Sequence, residues 1–188
     1  MTDAIRPFTI EVPEGVLVDL RERLARTRFP DQIAGSEWDY GTDLGYLKEL
    51  CEYWRTAFDW RRTEAELNLL DNFRTTIDGQ EIHFIHARSR VEGAFPVIIT
   101  HGWPGSVLEF LKILPMLTDP EAHGGSTADA FHVVCPSMPG YGFSGPTGEP
   151  GWDTQRVAEA FIELMARLGY ERYGAQGGDW GAVVTGQM

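Results

Sequence analysis

The sequence predicts an α/β fold in which a helical N-terminal segment precedes a sheet that becomes parallel. Up to about residue 71, apolar residues recur at the spacings of three and four that amphipathic helices show. After that point, short apolar runs typical of strands alternate with helical patterns, as in βαβ units. We therefore expect two domains, a helical segment over residues 1–71 and a sheet domain over residues 72–188.

Three amphipathic helices are expected in the N-terminal segment. The first begins at Pro13-Glu14 and ends before Phe29-Pro30, because the residue before a proline disfavours the helical conformation. The third begins at Thr63, which with Glu66 fits a capping box. The apolar residues are Leu17, Leu20 and Leu24 in the first helix, Leu44, Leu47, Cys51, Trp54 and Phe58 in the second, and Leu67 and Leu70 in the third. This periodicity indicates core packing, and we assign no chemistry to these helices.

The sheet domain is expected to begin with a β-hairpin. Residues 72–77 and 80–87 have the pattern of strands, and Asp78-Gly79 between them favours a tight hairpin turn. The pattern continues with strands at 97–100, 131–135 and 172–176 and with helices at 106–117 and 154–168. Gly169 is expected to end the last helix. In sheets of this kind, functional sites lie at the carboxyl ends of the parallel strands.

The composition indicates a folded, acidic protein. Hydrophobic residues make up 43% of the 188 residues, which is ample for a core. The net charge of −12 repels phosphate backbones and anionic membranes, so we expect no nucleic-acid partner and no membrane partner. No apolar stretch approaches the roughly 18 residues of a spanning helix. Cys51 and Cys135 lack metal-ligand spacing, which favours free thiols and a cytoplasmic location.

A glycine-rich turn follows the expected strand at 172–176. Gly177-Gly178-Asp179-Trp180-Gly181 has the G-x-nucleophile-x-G pattern of a sharp strand-to-helix elbow. Small flanking residues suit such a turn because a Cβ would crowd it, and Asp179 stands at the position of the nucleophile. The pentapeptide alone is equally compatible with an aspartate that caps a helix after a glycine turn.

A second turn, His101-Gly102-Trp103-Pro104-Gly105-Ser106, follows the expected strand at 97–100. Where a nucleophile elbow is present, the loop after that strand supplies one backbone N–H to an oxyanion hole, and the residue after the nucleophile supplies another. Here these are the N–H groups of Trp103 and Trp180. Alone, the second turn fits a plain turn with Ser106 as helix N-cap. Both turns together, each at a strand end, favour a catalytic site.

Five blocks of the sequence resemble the microsomal-type epoxide hydrolase family, an α/β-hydrolase branch with its own N-terminal segment. Besides the two turns, these blocks are Pro7-Phe8-Thr9-Ile10-Glu11-Val12-Pro13, Leu24 to Pro30, and Pro136-Ser137-Met138-Pro139-Gly140-Tyr141-Gly142-Phe143-Ser144. The resemblance covers nearly the whole chain. It implies an epoxide-hydrolase N-terminal segment over residues 1–71. It also implies an incomplete α/β-hydrolase core over residues 72–188, which ends just after the nucleophile elbow.

The resemblance implies hydrolysis of an epoxide to a vicinal diol through an alkyl ester on Asp179, with roles in detoxification and in the catabolism of aromatic hydrocarbons. A carboxylate is ionised at neutral pH, so Asp179 could attack carbon without a base. The Trp103 and Trp180 N–H groups would hold the oxyanion when water attacks the ester. The substrate would be a small apolar epoxide contacted by Trp103, Phe143 and Trp180, and no cofactor or metal is implied. The residues expected to hold the loop geometry are His101, Gly102, Pro104, Gly177, Gly178 and Gly181.

The family's charge-relay acid, its histidine and its two lid tyrosines follow the nucleophile, and residues 181–188 contain none of them. The histidines His83, His86, His123 and His132 lack the partners needed to replace them, and His83 and His86 lie on opposite faces of a strand. We therefore expect the 188-residue chain alone not to turn over. We also expect poor solubility, because the strand before Asp179 would form an exposed sheet edge that favours self-association or a complementing chain.

Two alternatives to an epoxide hydrolase stay open. A haloalkane dehalogenase shares the Asp179-Trp180 pair, although that family usually has Asn at the position of Trp103 and lacks the segment over residues 1–70. A non-catalytic remnant that acts as an interaction protein is compatible with the 188-residue chain. A serine esterase is excluded because the elbow offers Asp179 in place of serine.

Overall fold

The computed structural model of the protein describes residues 4–188. Two compact units make up this part of the chain: Ile10–Leu67 forms the smaller one, and residues 4–9 with Asn68–Met188 form the larger one. Across residues 4–188, no helix is both long and apolar enough to cross a membrane.

The smaller unit contains three helices, as the periodicity predicts. They are α1 (Glu14–Ala25), α2 (Leu44–Thr56) and α3 (Trp60–Leu67). The predicted start of α3 is wrong, because Thr63 lies inside the helix. The Asp59 carboxylate accepts a hydrogen bond of 2.9 Å from the Arg61 N–H, which would otherwise be an unpaired donor in the first turn of the helix. The helix therefore begins directly after Asp59 and not at the expected capping box.

The apolar stripe of α2 is less buried than its spacing predicts. No residue of α2 is buried, and Trp54 retains 45% of its accessible surface. Phe58 lies beyond the end of the helix and is also exposed. Helical spacing reports which side chains share a face, but it does not report how deeply that face is buried.

The larger unit is built on a six-stranded mixed sheet. Its strands are β1 (Arg6–Pro7), β2 (Asn72–Ile77), β3 (Gln80–Ala87), β4 (Phe95–Thr100), β5 (Phe131–Pro136) and β6 (Gly174–Gly177). The strand order is β1-β2-β3-β5-β4-β6. The first three neighbouring pairs are antiparallel, whereas β4 pairs in parallel with both β5 and β6. The predicted change to parallel pairing is thus confirmed.

The hairpin of β2 and β3 has the predicted turn. Asp78 and Gly79 both adopt positive φ angles, 48° and 75°, which is the conformation that a two-residue hairpin turn requires. Strand β1 is an addition to the predicted elements: it pairs with β2 through Arg6 and Pro7, inside the segment expected to be helical over residues 1–71. Two residues are too short to show a strand period, so only the pairing defines this strand.

The helix expected over residues 106–117 is divided. Ser106 caps a short 3₁₀ helix, Val107–Phe110, and α4 (Leu114–Thr118) follows. Pro115 lies in the first turn of α4, where its missing N–H costs nothing. A continuous helix would place the Pro115 ring against the carbonyl four residues earlier, which explains the division.

Helix α5 (Thr154–Arg167) forms where the sequence predicts a helix, and it covers one face of the sheet. Its buried residues Val157, Phe161, Leu164 and Met165 share a core cluster with Ile82, Phe84, Ile98 and Val134 from the strands. Gly169 follows the helix at a φ of 83°, and the Tyr170 N–H returns to the Met165 carbonyl at 3.0 Å. This arrangement is a Schellman ending and confirms the expected role of Gly169.

Candidate active site

Strands β4 and β6 bring the two glycine-rich turns to the same edge of the sheet. The strands are parallel neighbours, and Thr100 is paired with Gly177 at their carboxyl ends. The next residues along each strand therefore leave the sheet side by side. One turn carries Trp103, and the other carries Asp179 at the start of α6 (Trp180–Thr185).

The backbone is packed so closely at the two turns that side chains are excluded at three glycines. A Cβ on Gly102 would lie 2.4 Å from the Cβ of Asp179, and a Cβ on Gly181 would lie 2.2 Å from the Thr100 carbonyl oxygen. Gly177 is similarly constrained by the Gly181 carbonyl oxygen, at 2.2 Å. Gly178 differs, because a Cβ there would meet open space. The geometry gives no steric reason for glycine at position 178.

Asp179 has an unusual backbone conformation, with φ 54° and ψ −127°. Non-glycine residues rarely adopt positive φ, and such a conformation costs on the order of 1–3 kcal/mol. Asp179 precedes α6 at the N-cap position, but its side chain makes no capping hydrogen bond. The alternative of a simple helix cap therefore does not describe its carboxylate.

The Asp179 carboxylate accepts a hydrogen bond from the other turn. Its Oδ1 lies 2.8 Å from the Trp103 backbone nitrogen, whose N–H donates. The backbone N–H groups of Trp103 and Trp180 lower the pKa of Asp179, against a smaller opposing effect of desolvation. One carboxylate oxygen is thus held by backbone amide, and the group is ionised at neutral pH.

His101 connects the Trp103 turn to the segment after β5. Its Nε2 accepts a hydrogen bond from the Met138 N–H at 3.2 Å, so Nδ1 carries the proton and donates to the Gly102 carbonyl at 2.9 Å. The ring is almost completely buried, and this burial lowers the pKa of His101. A neutral imidazole with two fixed partners is suited to holding a loop.

Two clefts lie beside the nucleophile candidate. A cleft of about 320 Å³ is lined by Gly102, Trp103, Pro104, Gly105, Glu109, Gly178 and Asp179. Another, of about 360 Å³, is more apolar, and its lining includes Met138, Tyr141, Trp152, Trp180 and Val184. Trp103 and Trp180, beside these clefts, are 66% and 53% exposed.

Phe143 does not lie with the other expected substrate contacts. Its ring packs against Phe8 and His83, with centroid distances of 6.2 and 5.2 Å, and its carbonyl accepts a hydrogen bond from Arg74. It lines neither cleft. The turn from Gly140 to Ser144 folds back onto β3, because the Ser144 hydroxyl accepts the His83 N–H, and Phe143 is carried away from Asp179.

The remaining histidines have other environments. His83 is buried between Ser137 and Asn72, each at 2.9 Å from a ring nitrogen, whereas His86 contacts the Tyr170 hydroxyl at 2.9 Å. His123 lies on an exposed 3₁₀ helix. His132 accepts the N–H of Ser89. Within residues 4–188, no group of three or more His, Cys, Asp or Glu side chains could hold a metal ion.

The lining of the clefts also includes Glu109, Tyr141 and Trp152, which the sequence patterns do not predict as site residues. Glu109 had a recognisable signal, since it follows Ser106 by three residues in the pattern of a capping box. Tyr141 lies between Gly140 and Gly142, which both have positive φ, and two such glycines mark a tight turn that the sequence pattern can indicate. Trp152 had no local signal, because its placement depends on how α5 packs.

Fold and site together define an α/β-hydrolase core. Residues 96–188 match the family described as alpha/beta hydrolase fold, and residues 5–110 match the family described as Epoxide hydrolase N terminus. The latter match extends beyond residue 71, into β4 and the turn after it. The chain belongs to the microsomal-type epoxide hydrolase family.

Two relatives are similar over nearly the whole of this chain. The chain is 56% identical over 181 residues to a provisionally named epoxide hydrolase of Stigmatella aurantiaca (strain DW4/3-1), covering 96% of this chain and 41% of that protein. It is 42% identical to Epoxide hydrolase 1 of Oryctolagus cuniculus, covering 99% of this chain and 42% of that protein. The chain therefore spans about two fifths of the length of these relatives.

Two solved structures have the same fold. The juvenile hormone epoxide hydrolase of the silkworm Bombyx mori is 37% identical, with a TM-score of 0.85 over 100% of this chain and 50% of that one. The epoxide hydrolase of Aspergillus niger is 35% identical, with a TM-score of 0.82 over 97% of this chain and 48% of that one.

Proposed function

We propose that the chain carries the nucleophile of an epoxide hydrolase, and that this nucleophile is Asp179. The observation that carries the proposal is the hydrogen bond of 2.8 Å from the Trp103 N–H to Asp179 Oδ1. In this arrangement the backbone N–H holds Oδ1, and Oδ2 is the carboxylate oxygen that attacks the substrate. Positive φ at Asp179 and the exclusion of a Cβ at Gly102 support the same assignment.

The first step forms a bond between Asp179 Oδ2 and an epoxide carbon. The electron pair of the broken C–O bond passes to the ring oxygen, which takes up a proton from solvent water to become a hydroxyl group. The enzyme then carries an alkyl ester whose carbonyl oxygen is Oδ1. No base is needed, because the carboxylate is already ionised and the two backbone amides favour that form.

In the second step, water attacks the carbonyl carbon of the ester. Negative charge develops on Oδ1, which the Trp103 and Trp180 N–H groups stabilise. As the intermediate collapses, one proton of the water goes to the departing alkoxide and the other to solvent, which releases the vicinal diol and restores the carboxylate. Loss of one such donor typically costs roughly 2.7–4 kcal/mol in the barrier. His101, Gly102, Pro104, Gly177 and Gly181 maintain the close approach of the two turns that this step requires.

The substrate class is an apolar epoxide. Support comes from the exposed Trp103 and Trp180 rings and from the apolar cleft lined by Tyr141 and Trp152. Phe143 is not part of this site. A haloalkane as substrate has less support, since the family membership rests partly on the N-terminal region that haloalkane dehalogenases lack.

The test is intact-mass measurement after incubation with styrene oxide. We expect one mass addition equal to one epoxide, located on Asp179 by peptide mapping, and no addition in Asp179→Asn. Among residues 4–188, no histidine lines the cleft, so the ester accumulates in this chain. Modification elsewhere with Asp179 unmodified, or equal labelling of Asp179→Asn, contradicts the proposal.

We also propose that this chain self-associates or binds a complementing chain through β6. This strand lies at one end of the strand order, where backbone groups are open to further pairing. Trp180 and Val183, just beyond it, are exposed. Sedimentation velocity tests this: we expect species heavier than the monomer, and a single soluble monomer across a wide concentration range contradicts it.

A cytoplasmic location is the last part of the proposal. Cys51 and Cys135 are both free thiols, and burial raises the pKa of the Cys135 thiol, which keeps it unreactive. Free thiols are typical of reducing compartments. Fractionation of the host cell should place the protein with cytosolic markers, and recovery with exported proteins contradicts this location.

A further inference from the structure

Glu109 places a second carboxylate in the lining of the cleft that contains Asp179. It belongs to the 3₁₀ helix Val107–Phe110, directly after the turn that carries Trp103. The chemistry proposed above gives Glu109 no part in bond making or breaking. Its contacts nevertheless differ from those of an ordinary exposed glutamate.

Glu109 is hydrogen-bonded to the end of the Trp103 turn. Its Oε1 accepts the Ser106 N–H at 3.1 Å, while the Ser106 hydroxyl accepts the Leu108 N–H at 3.3 Å. The two side chains thus form a capping box, which satisfies backbone donors that the short helix leaves unpaired. The last residue of the turn is fixed in this way.

The Glu109 carboxylate also fills the space beside Gly105. A Cβ on Gly105 would lie 1.5 Å from Glu109 Oε1 and 3.2 Å from the Gly102 carbonyl oxygen. The carboxylate is therefore packed against the middle of the turn. His101 Nδ1 donates to the same Gly102 carbonyl group, so the turn is held at its start by His101 and at its end by Glu109.

We propose that Glu109 is a positioning residue, which holds residues 102–106 so that the Trp103 N–H donates to Asp179 Oδ1. Its effect on catalysis rests on the proposed function of Asp179, whereas its effect on the turn does not. Without Glu109, the Ser106 N–H loses its acceptor and Gly105 gains conformational freedom. The Trp103 N–H then moves away from its position 2.8 Å from Asp179.

Three substitutions separate the contributions of Glu109. Glu109→Ala removes the acceptor and the volume, and Glu109→Asp keeps the charge on a side chain too short to reach the Ser106 N–H. Glu109→Gln keeps the acceptor and the volume without the charge. Glu121→Ala is the matched control, since Glu121 lies in the first turn of another 3₁₀ helix, Pro120–His123, outside the lining of the cleft.

The readout is an NMR titration of the whole chain, with ¹³C-labelled aspartate to follow Asp179 and ¹⁵N labelling to follow the Trp103 amide. In Glu109→Ala, we expect the pKa of Asp179 to rise toward its ordinary value and the Trp103 amide proton to move upfield, because their hydrogen bond weakens. Glu109→Asp should give the same result, and it replaces Glu109→Ala if that variant does not fold. Glu109→Gln and Glu121→Ala should retain the wild-type Trp103 shift and should not raise the pKa of Asp179.

A loss of stability in Glu109→Ala with an unchanged Trp103 amide shift and an unchanged pKa of Asp179 overturns the proposal, because it indicates a merely structural role. A Glu109→Gln variant that behaves like Glu109→Ala also overturns it, since the retained acceptor and volume would then not hold the turn. With styrene oxide, ester formation should slow about tenfold in Glu109→Ala and recover in Glu109→Gln. Absence of ester formation in the wild type counts against the proposed function alone, because the NMR titration needs no reaction.

Discussion

The Nε2 atom of His101 accepts a hydrogen bond from the backbone N–H of Met138, at 3.2 Å. The other ring nitrogen donates to Gly102, so one imidazole joins the turn after β4 to the turn after β5. The ring also lies against Tyr141, with a centroid distance of 5.5 Å. The lining of the apolar cleft and the amide beside Asp179 are therefore positioned by the same side chain.

We predict that His101→Ala is destabilised and reacts slowly with epoxide. The substitution leaves the Met138 N–H without its acceptor in a buried setting, which costs about 1–3 kcal/mol. Urea denaturation measures this as a lower free energy of unfolding, and intact mass measures slower esterification of Asp179. His123→Ala is the matched control, since His123 is exposed. Equal behaviour of the two variants would show that His101 does not hold the turns.

Local chemistry accounts for much of what the sequence could predict. The Asp78-Gly79 turn, the helix that ends at Gly169 and the strand-end turns are all encoded by residues within a few positions of each other. Asp179 was identifiable as a nucleophile candidate because the elbow pattern is contiguous. The hydrogen bond from Trp103 to Asp179 does not follow from either turn alone, since it depends on β4 and β6 being neighbours in the sheet.

The sequence does not predict features that packing between distant segments decides. The resemblance places Phe143 among the substrate contacts, but the Phe143 ring packs against Phe8 and His83, and neither of these residues lines the clefts beside Asp179. Strand β1 exists only through its pairing with β2. Apolar spacing alone predicts one continuous helix around Pro115, but the proline ring divides that helix.

Gly102→Ala is predicted to abolish esterification of Asp179. The added methyl group would lie 2.4 Å from the Asp179 Cβ, so the two turns must separate and the Trp103 N–H loses its acceptor. Gly148→Ala is the control, because a Cβ there meets open space in an exposed loop. Intact mass after incubation with styrene oxide compares the two variants. Wild-type labelling of Gly102→Ala would mean that the close approach is unnecessary.

Stability is predicted to fall as the pH drops below about 6.5. Burial lowers the pKa of His83 to about 3 and the pKa of His86 to about 4. The unfolded chain then binds more protons than the folded chain, starting near the unfolded pKa of about 6.5. Above this unfolded pKa, each histidine contributes fully to the free energy of unfolding. That contribution is lost as the pH falls toward the pKa of the histidine in the folded chain. His101 and His132, whose pKa values are also lowered, act in the same direction.

Urea denaturation between pH 7 and pH 5 measures this dependence. Each histidine whose pKa is lowered in the folded chain should change the free energy of unfolding by about 1.4 kcal/mol per pH unit below its unfolded pKa. His83→Gln removes one such group and should reduce the slope relative to the wild type. A free energy of unfolding that stays constant from pH 7 to pH 5 would contradict the buried, neutral state of these rings.

Esterification of Asp179 should be independent of pH between 8 and 5. The nucleophile is the carboxylate, and the Trp103 and Trp180 N–H groups hold its pKa below the ordinary value of 3.8. The carboxylate therefore stays fully ionised throughout this range, and its reactivity falls only at still lower pH. Intact-mass time courses at several pH values, restricted to conditions where circular dichroism shows a folded chain, provide the rates. A rate that falls from pH 8 to pH 5 would indicate a nucleophile with a higher pKa and would exclude an Asp179 carboxylate held by the two amides.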